Sequence, residues 1–210
     1  GEENLKNMIE FNSQMHKKTM IEYKFGRKGA PREFNLRDIF RWCELLKSDN
    51  VAPCDPAKYV DIIYRQRMRI PEDRTQVIGL FESVFKRSLQ INEHPAYSLS
   101  ASHIQVGGTA IERAAIAKNS VAQKGLILLH STLNSLESIL KCIAMNYMVI
   151  LTGAAASGKT SLIRLVAQLT GNVLNEFSMS SSTDTVELLG GFEQTDPLQR
   201  RKKVAKQVKD

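Results

Sequence analysis

The segment Gly153-Ala154-Ala155-Ala156-Ser157-Gly158-Lys159-Thr160, followed by Ser161, places two glycines five apart, then a lysine and a hydroxyl. This G-x-x-x-x-G-K-[ST] spacing suits phosphate chemistry. The glycines let the backbone curl closely, and a curled backbone turns its N–H groups inward as an anion nest. A helix starting at this point adds the positive end of its dipole. Lys159 can then reach β- and γ-phosphates, and the Thr160 hydroxyl can ligate Mg²⁺. The ligand expected between Gly153 and Ser161 is therefore ATP or ADP with Mg²⁺. The alternative is a glycine-rich turn that binds nothing, and the intact Lys159 speaks against it.

A hydrolysing site of this class needs a second part, a carboxylate after an apolar strand that holds the metal and orients water. After Thr160 the acids are Glu176, Asp184, Glu187, Glu193, Asp196 and Asp210, and none follows four consecutive apolar residues. The expectation is half a site, one that binds nucleotide without turning it over in this chain alone.

Several elements must position the loop. Tyr147 to Leu151 is a short apolar run, expected to be a strand buried on both faces. Thr160 to Leu169 has helical spacing, with Leu162, Leu165, Val166 and Leu169 on one face, and Gly171 suits its stop. Val173 to Met179 reads as a second strand, which would complete a βαβ unit. Upstream, Ser131 onward is helical through Leu133, Leu136, Leu140 and Ile143. Ile104 and Val106 suggest a short strand ended by Gly107 and Gly108, and Ala110 to Lys118 reads equally as a helical turn or a loop.

Residues 1–88 read as four helices. The first carries Leu5, Met8, Ile9, Met15 and Met20 and stops before the Gly26 to Pro31 loop. The second carries Leu36, Ile39, Phe40, Cys43 and Leu46, with Asn35 as N-cap and Asp38 in its first turn. The third covers Ala57 to Arg69, with Val60, Ile63, Tyr64 and Met68 inward. The fourth starts at Pro71 and carries Val77, Leu80, Phe81, Val84 and Phe85. Trp42 and Tyr64 lie on helical faces and are expected in the core.

Composition narrows the class. Of 210 residues, 42% are apolar and 24% charged, enough for a real core. No apolar run approaches the roughly 18 residues of a membrane span, so no membrane partner is expected. Cys43, Cys54 and Cys142 have neither metal-ligand nor redox spacing, which suggests reduced thiols in an intracellular protein. The net charge is +7. Arg200, Arg201, Lys202, Lys203, Lys206 and Lys209 form a basic tail that is either a solvated face or a contact to nucleic-acid phosphates.

Two long strings resemble a known family. Pro31 to Leu46, with Glu33-Phe34-Asn35-Leu36-Arg37-Asp38 and Arg41-Trp42, resembles a segment of the midasin family of dynein-related AAA+ ATPases. Asp184 to Gln194, with Glu187-Leu188-Leu189-Gly190-Gly191-Phe192, resembles a later segment of the same family, and the phosphate loop lies between them in the expected order. The resemblance implies α/β plus all-α architecture: an AAA+ helical small subdomain followed by the N-terminal part of a P-loop α/β subdomain. On that reading residues 1–88 are the lid of one module. Residues 89–128 are a linker and the beginning of the next, and residues 129–210 are its partial P-loop subdomain.

The resemblance also implies roles. Arg37 occupies a sensor-2-like position, touching the nucleotide of its own, preceding module; the bland alternative is a surface ion pair with Glu33. His103 to Arg113 resembles the stretch that lines an adenine pocket, and Asp184 to Gln194 a helix and loop facing the ring's pore. The implied partners are ATP, neighbouring AAA+ modules of the same chain, and the pre-60S ribosomal particle with its assembly factors, whose ribosomal RNA the tail from Arg200 to Lys209 would touch. The implied location is the nucleus, both nucleolus and nucleoplasm, and the implied activity is remodelling of pre-60S particles. Rival readings are a nucleotide-stabilised interaction module that docks on a ribosomal particle, and a MoxR-like chaperone ATPase. The lid-first order of subdomains speaks against the latter.

Overall fold

Met8, Phe11, Asn12 and Met15 recur at the helical period, and in the computed structural model they form the buried face of α1 (Glu2–His16). The structure describes residues 2–49, 54–114, 128–180, 183, 184 and 190. A π turn, Lys17–Ile21, follows α1, and there the Thr19 hydroxyl donates to the Met15 carbonyl at 2.7 Å.

α2 (Leu36–Ser48) begins on a complete capping box. Asn35 accepts the Arg37 N–H at 3.0 Å, and the Asp38 carboxylate accepts the Asn35 N–H at 3.1 Å. Its inward face differs from the expected one. Ile39, Trp42, Leu45 and Leu46 are buried, while Leu36 and Phe40 are exposed. Two apolar stripes share this helix, and the core takes the one that carries the indole.

α3 (Ala57–Ile63) is shorter than expected and gives way to a tight turn over Arg65–Arg67. α4 (Pro71–Phe85) starts with proline in its first turn and ends on Lys86 in the left-handed region. The four helices enclose an aromatic core. Phe11 meets Tyr64 edge-on at 4.9 Å and Trp42 at 5.8 Å, and Phe81 stacks on Phe85 at 4.3 Å. Trp42 and Tyr64 are both fully buried, as expected of core residues.

Three short strands follow: β1 (Tyr97–Leu99), β2 (His103–Val106) and β3 (Thr109–Glu112), antiparallel in the order β1-β2-β3. The register pairs Ile104 with Leu99 and with Ile111. So Thr109 to Glu112 is a strand, where the sequence left a helical turn or a loop open. Gly107 and Gly108 end β2, as expected, and turn the chain into β3.

Ile104 and Val106 point onto α5 (Leu133–Ala144) and α6 (Lys159–Thr170), forming a second core with Leu133, Leu136, Ile139, Leu140 and Val166. Both cores belong to one compact unit, residues 1–173; residues 174–210 form another. The first unit is thus a helical bundle plus a small antiparallel sheet covered by helices.

The expected strand at Tyr147 to Leu151 is not hydrogen-bonded into a sheet, and it is not buried on both faces. Tyr147, Val149 and Leu151 pack inward, whereas Met148 is 87% and Ile150 80% exposed. Val173 to Met179 likewise joins no ladder among the described residues, with Val173, Phe177 and Met179 exposed. A strand's backbone groups are satisfied by a neighbouring strand, and neither run belongs to the sheet formed among the described residues. Residues 115–118, Asp184 to Gln194 apart from Asp184 and Gly190, and the basic tail lie outside the described residues.

Candidate functional site

The phosphate-loop residues come together as the spacing requires. The apolar run ending at Leu151 feeds the loop, and α6 begins at Lys159 with Gly158 as its N-cap. Gly158 has φ +80° and Ala156 φ +57°, so the chain turns through two left-handed residues before the helix. Gly158 takes that conformation without a Cβ penalty; Ala156 does not. The Ser157 N–H donates to the Ala154 carbonyl at 3.4 Å, and the Leu162 N–H to the Gly158 carbonyl at 2.8 Å.

Inside this curl the Lys159 ammonium donates to the Gly153 carbonyl at 3.1 Å and to the Ala154 carbonyl at 2.6 Å. The Ser157 hydroxyl lies 3.4 Å away. Gly153, Ala154, Ala155, Ala156, Ser157, Gly158, Thr160 and Ser161 are exposed, and Lys159 is half-buried. The donor set fits a phosphate. It offers first-turn helix N–H groups with no intrahelical partner, a cation held over the curl, and an accessible hydroxyl at Thr160 beside it for Mg²⁺.

The far end of α6 is closed by the hairpin. Arg113 donates from Nε to the Leu169 carbonyl at 2.7 Å and from Nη1 to the Ser100 carbonyl at 2.8 Å. The Ala114 N–H reaches the Thr170 carbonyl at 2.8 Å. These bonds satisfy carbonyls that a helix end leaves open. They place the end of the His103 to Arg113 stretch about one helix length, roughly 18 Å, from the phosphate loop. Sequence reasoning missed this clamp, because a lone arginine after a strand carries no local signature.

Arg37 sits in the first turn of α2 with its side chain exposed. Among the described residues no carboxylate pairs with it, so the surface ion pair with Glu33 is absent. Its neighbour Asp38 points inward to Arg67 Nη1 at 3.0 Å, and the Arg67 guanidinium lies 4.5 Å from the Phe34 ring centroid. No contact joins Arg37 to the phosphate loop among the described residues.

Comparison with known proteins gives the family. A family model described as the Midasin AAA lid domain matches residues 2–88, so the helical bundle is the lid of an AAA+ module. The chain is 46% identical over 225 residues to "Midasin" of Dictyostelium discoideum, covering 97% of this chain and 4% of that protein. It is 27% identical over 207 residues to "Midasin" of Giardia intestinalis, covering 89% of this chain and 4% of that protein. The chain belongs to the midasin family and spans about 4% of the length of these relatives. No helix among the described residues is long and apolar enough to cross a membrane.

Proposed function

We propose that this chain is an ATP-binding segment of a midasin-family AAA+ mechanoenzyme. It carries the lid of one module (residues 1–88), a connection (89–128) and the first part of the next module's P-loop α/β subdomain (129–210). The observation that carries the reading is the Lys159 ammonium held against the Gly153 and Ala154 carbonyls in a loop already curled at the head of α6. A β- or γ-phosphate oxygen is the natural partner for that ammonium, with the loop N–H groups as further donors. Thr160 would hold Mg²⁺, which offsets phosphate charge when bound. Arg37, exposed and without a carboxylate partner among the described residues, is the residue proposed to reach the nucleotide of the preceding module.

In the complete protein, ATP turnover across neighbouring modules would drive remodelling of pre-60S ribosomal particles and release of their assembly factors, in the nucleolus and nucleoplasm. The lid match and the two midasin relatives support this reading. The test is Lys159→Ala in the full-length protein, with particles isolated and their assembly factors quantified. Retention of factors that the native protein releases is expected. Release at the native rate would remove this loop from the mechanism.

A further inference from the structure

The C-terminal half of α2 and the segment that leads into the phosphate loop are joined by side chains. Tyr147, the first residue of the run that ends at Leu151, donates its hydroxyl to the Glu44 carboxylate on α2. The Arg41 guanidinium, one turn earlier on α2, lies 5.7 Å from the Tyr147 ring centroid. Lys141, in the last turn of α5, donates to the Ser48 hydroxyl at 3.0 Å and approaches the Asp49 carboxylate at 3.6 Å. Its ammonium also sits 5.1 Å from the Tyr59 ring centroid. A cation at Ser48 and Asp49 lies at the negative end of the α2 dipole. The Tyr147 N–H closes on the Cys142 carbonyl at 2.8 Å, so the end of α5 and the start of the run form one turn.

Among the described residues no ladder joins the run, and Met148 and Ile150 face out. Its root is held by the turn at Tyr147 and by the side-chain contacts to the lid helix. Six residues later comes Gly153. We propose that Tyr147 and Lys141 are positioning residues for the phosphate loop: the lid of the preceding module, through Glu44, Ser48 and Asp49 on and just after α2, holds the root from which the next module's loop is built. α2 is then shared by two sites, because its first turn presents Arg37 outward.

This inference rests on the proposed nucleotide role of the loop, and its test separates the two. Burial and the Glu44 carboxylate push the Tyr147 phenol up to about 12, so it remains a donor at neutral pH and Tyr147→Phe removes only that donor. The readout is amide hydrogen exchange at Met145, Asn146 and Tyr147 beside the contact, and at Ser157 and Leu162 in the loop and helix. Mg²⁺-ADP affinity is measured alongside.

Tyr147→Phe is expected to speed exchange at Ser157 and Leu162 by up to about tenfold and to weaken Mg²⁺-ADP by a similar factor, the worth of one hydrogen bond. Glu44→Gln keeps an acceptor and is expected to stay near native values, whereas Lys141→Met reproduces the loss. Faster exchange confined to residues 145–147 would mean a local structural contact and would overturn the proposal. If the native chain binds no Mg²⁺-ADP yet Ser157 and Leu162 respond, the positioning role stands and the nucleotide reading falls.

Discussion

Asp38 and Arg67 meet at 3.0 Å, and this pair decides which way the neighbouring Arg37 faces. The Asp38 carboxylate accepts the Asn35 N–H and the Arg67 guanidinium together. It is buried at the first turn of α2, and Arg67 also donates to the Glu33 carbonyl at 2.8 Å. With Asp38 turned in, Arg37 is turned out. In the string Asn35-Leu36-Arg37-Asp38, the asparagine and aspartate build the helix start and the arginine side chain is exposed.

Asp38→Ala removes half of a capping box and leaves Arg67 without its carboxylate. The expected cost is about 2 kcal/mol, read as a lower denaturant midpoint with an unchanged slope. Arg37→Ala is expected to change stability by less than about 0.5 kcal/mol, since its side chain is exposed. Equal losses for the two variants would contradict the division of roles.

The aromatic core makes its own prediction. The Tyr64 hydroxyl donates to Asn12 Oδ1 at 2.9 Å, both residues being buried. Tyr64→Phe leaves that amide oxygen without its donor and should cost about 1–2 kcal/mol. Trp42 is fully enclosed and donates from Nε1 to the Pro56 carbonyl at 3.0 Å. Trp42→Ala should cost about 3–5 kcal/mol, enough to unfold much of the lid. Near-ultraviolet circular dichroism and thermal melts check both, and a Trp42→Ala variant with native stability would place the core elsewhere.

Glu137 gives a pH prediction. It is half-buried on α5 and accepts the Gly108 N–H at 2.8 Å. Burial pushes its carboxyl above the usual range, and the Gly108 N–H, Lys58 and Lys141 only partly offset this. A carboxyl raised in the folded state favours folding below its unfolded pKa, and that advantage fades as pH rises through the folded value. Glu137→Gln keeps the acceptor without the charge, so the variant should melt higher than the native chain at pH 7. The gap should close as the pH is lowered towards about 4. A gap that widens on acidification would contradict the assignment.

Much of the lid was legible because its signals are local. Asn35 with Asp38, proline at the start of α4 and the inward Val60, Tyr64 and Met68 each follow from spacing. The face of α2 was harder to read. Leu36 and Phe40 form as regular a stripe as Ile39, Trp42 and Leu46, and only packing against Phe11 and Tyr64 chooses between them. β3 was hidden because Thr109 to Glu112 is four residues long and follows two glycines. The runs at Tyr147 and Val173 have the composition of buried strands, but a strand is completed by its neighbours, and composition alone cannot supply them. At the site, the motif located the loop and Lys159. The contacts of Arg113 and Tyr147 join residues 56 and 103 positions apart, and no local pattern records them.

The central claim is that residues 153–161 form a nucleotide site in this chain. Titration calorimetry with Mg²⁺-ATP and Mg²⁺-ADP, on the native chain and on Lys159→Ala, tests it most directly. The prediction is saturable binding at a single site that Lys159→Ala weakens by at least about a hundredfold, roughly 3 kcal/mol. Equal binding by the two proteins, or none by the native chain, would contradict it.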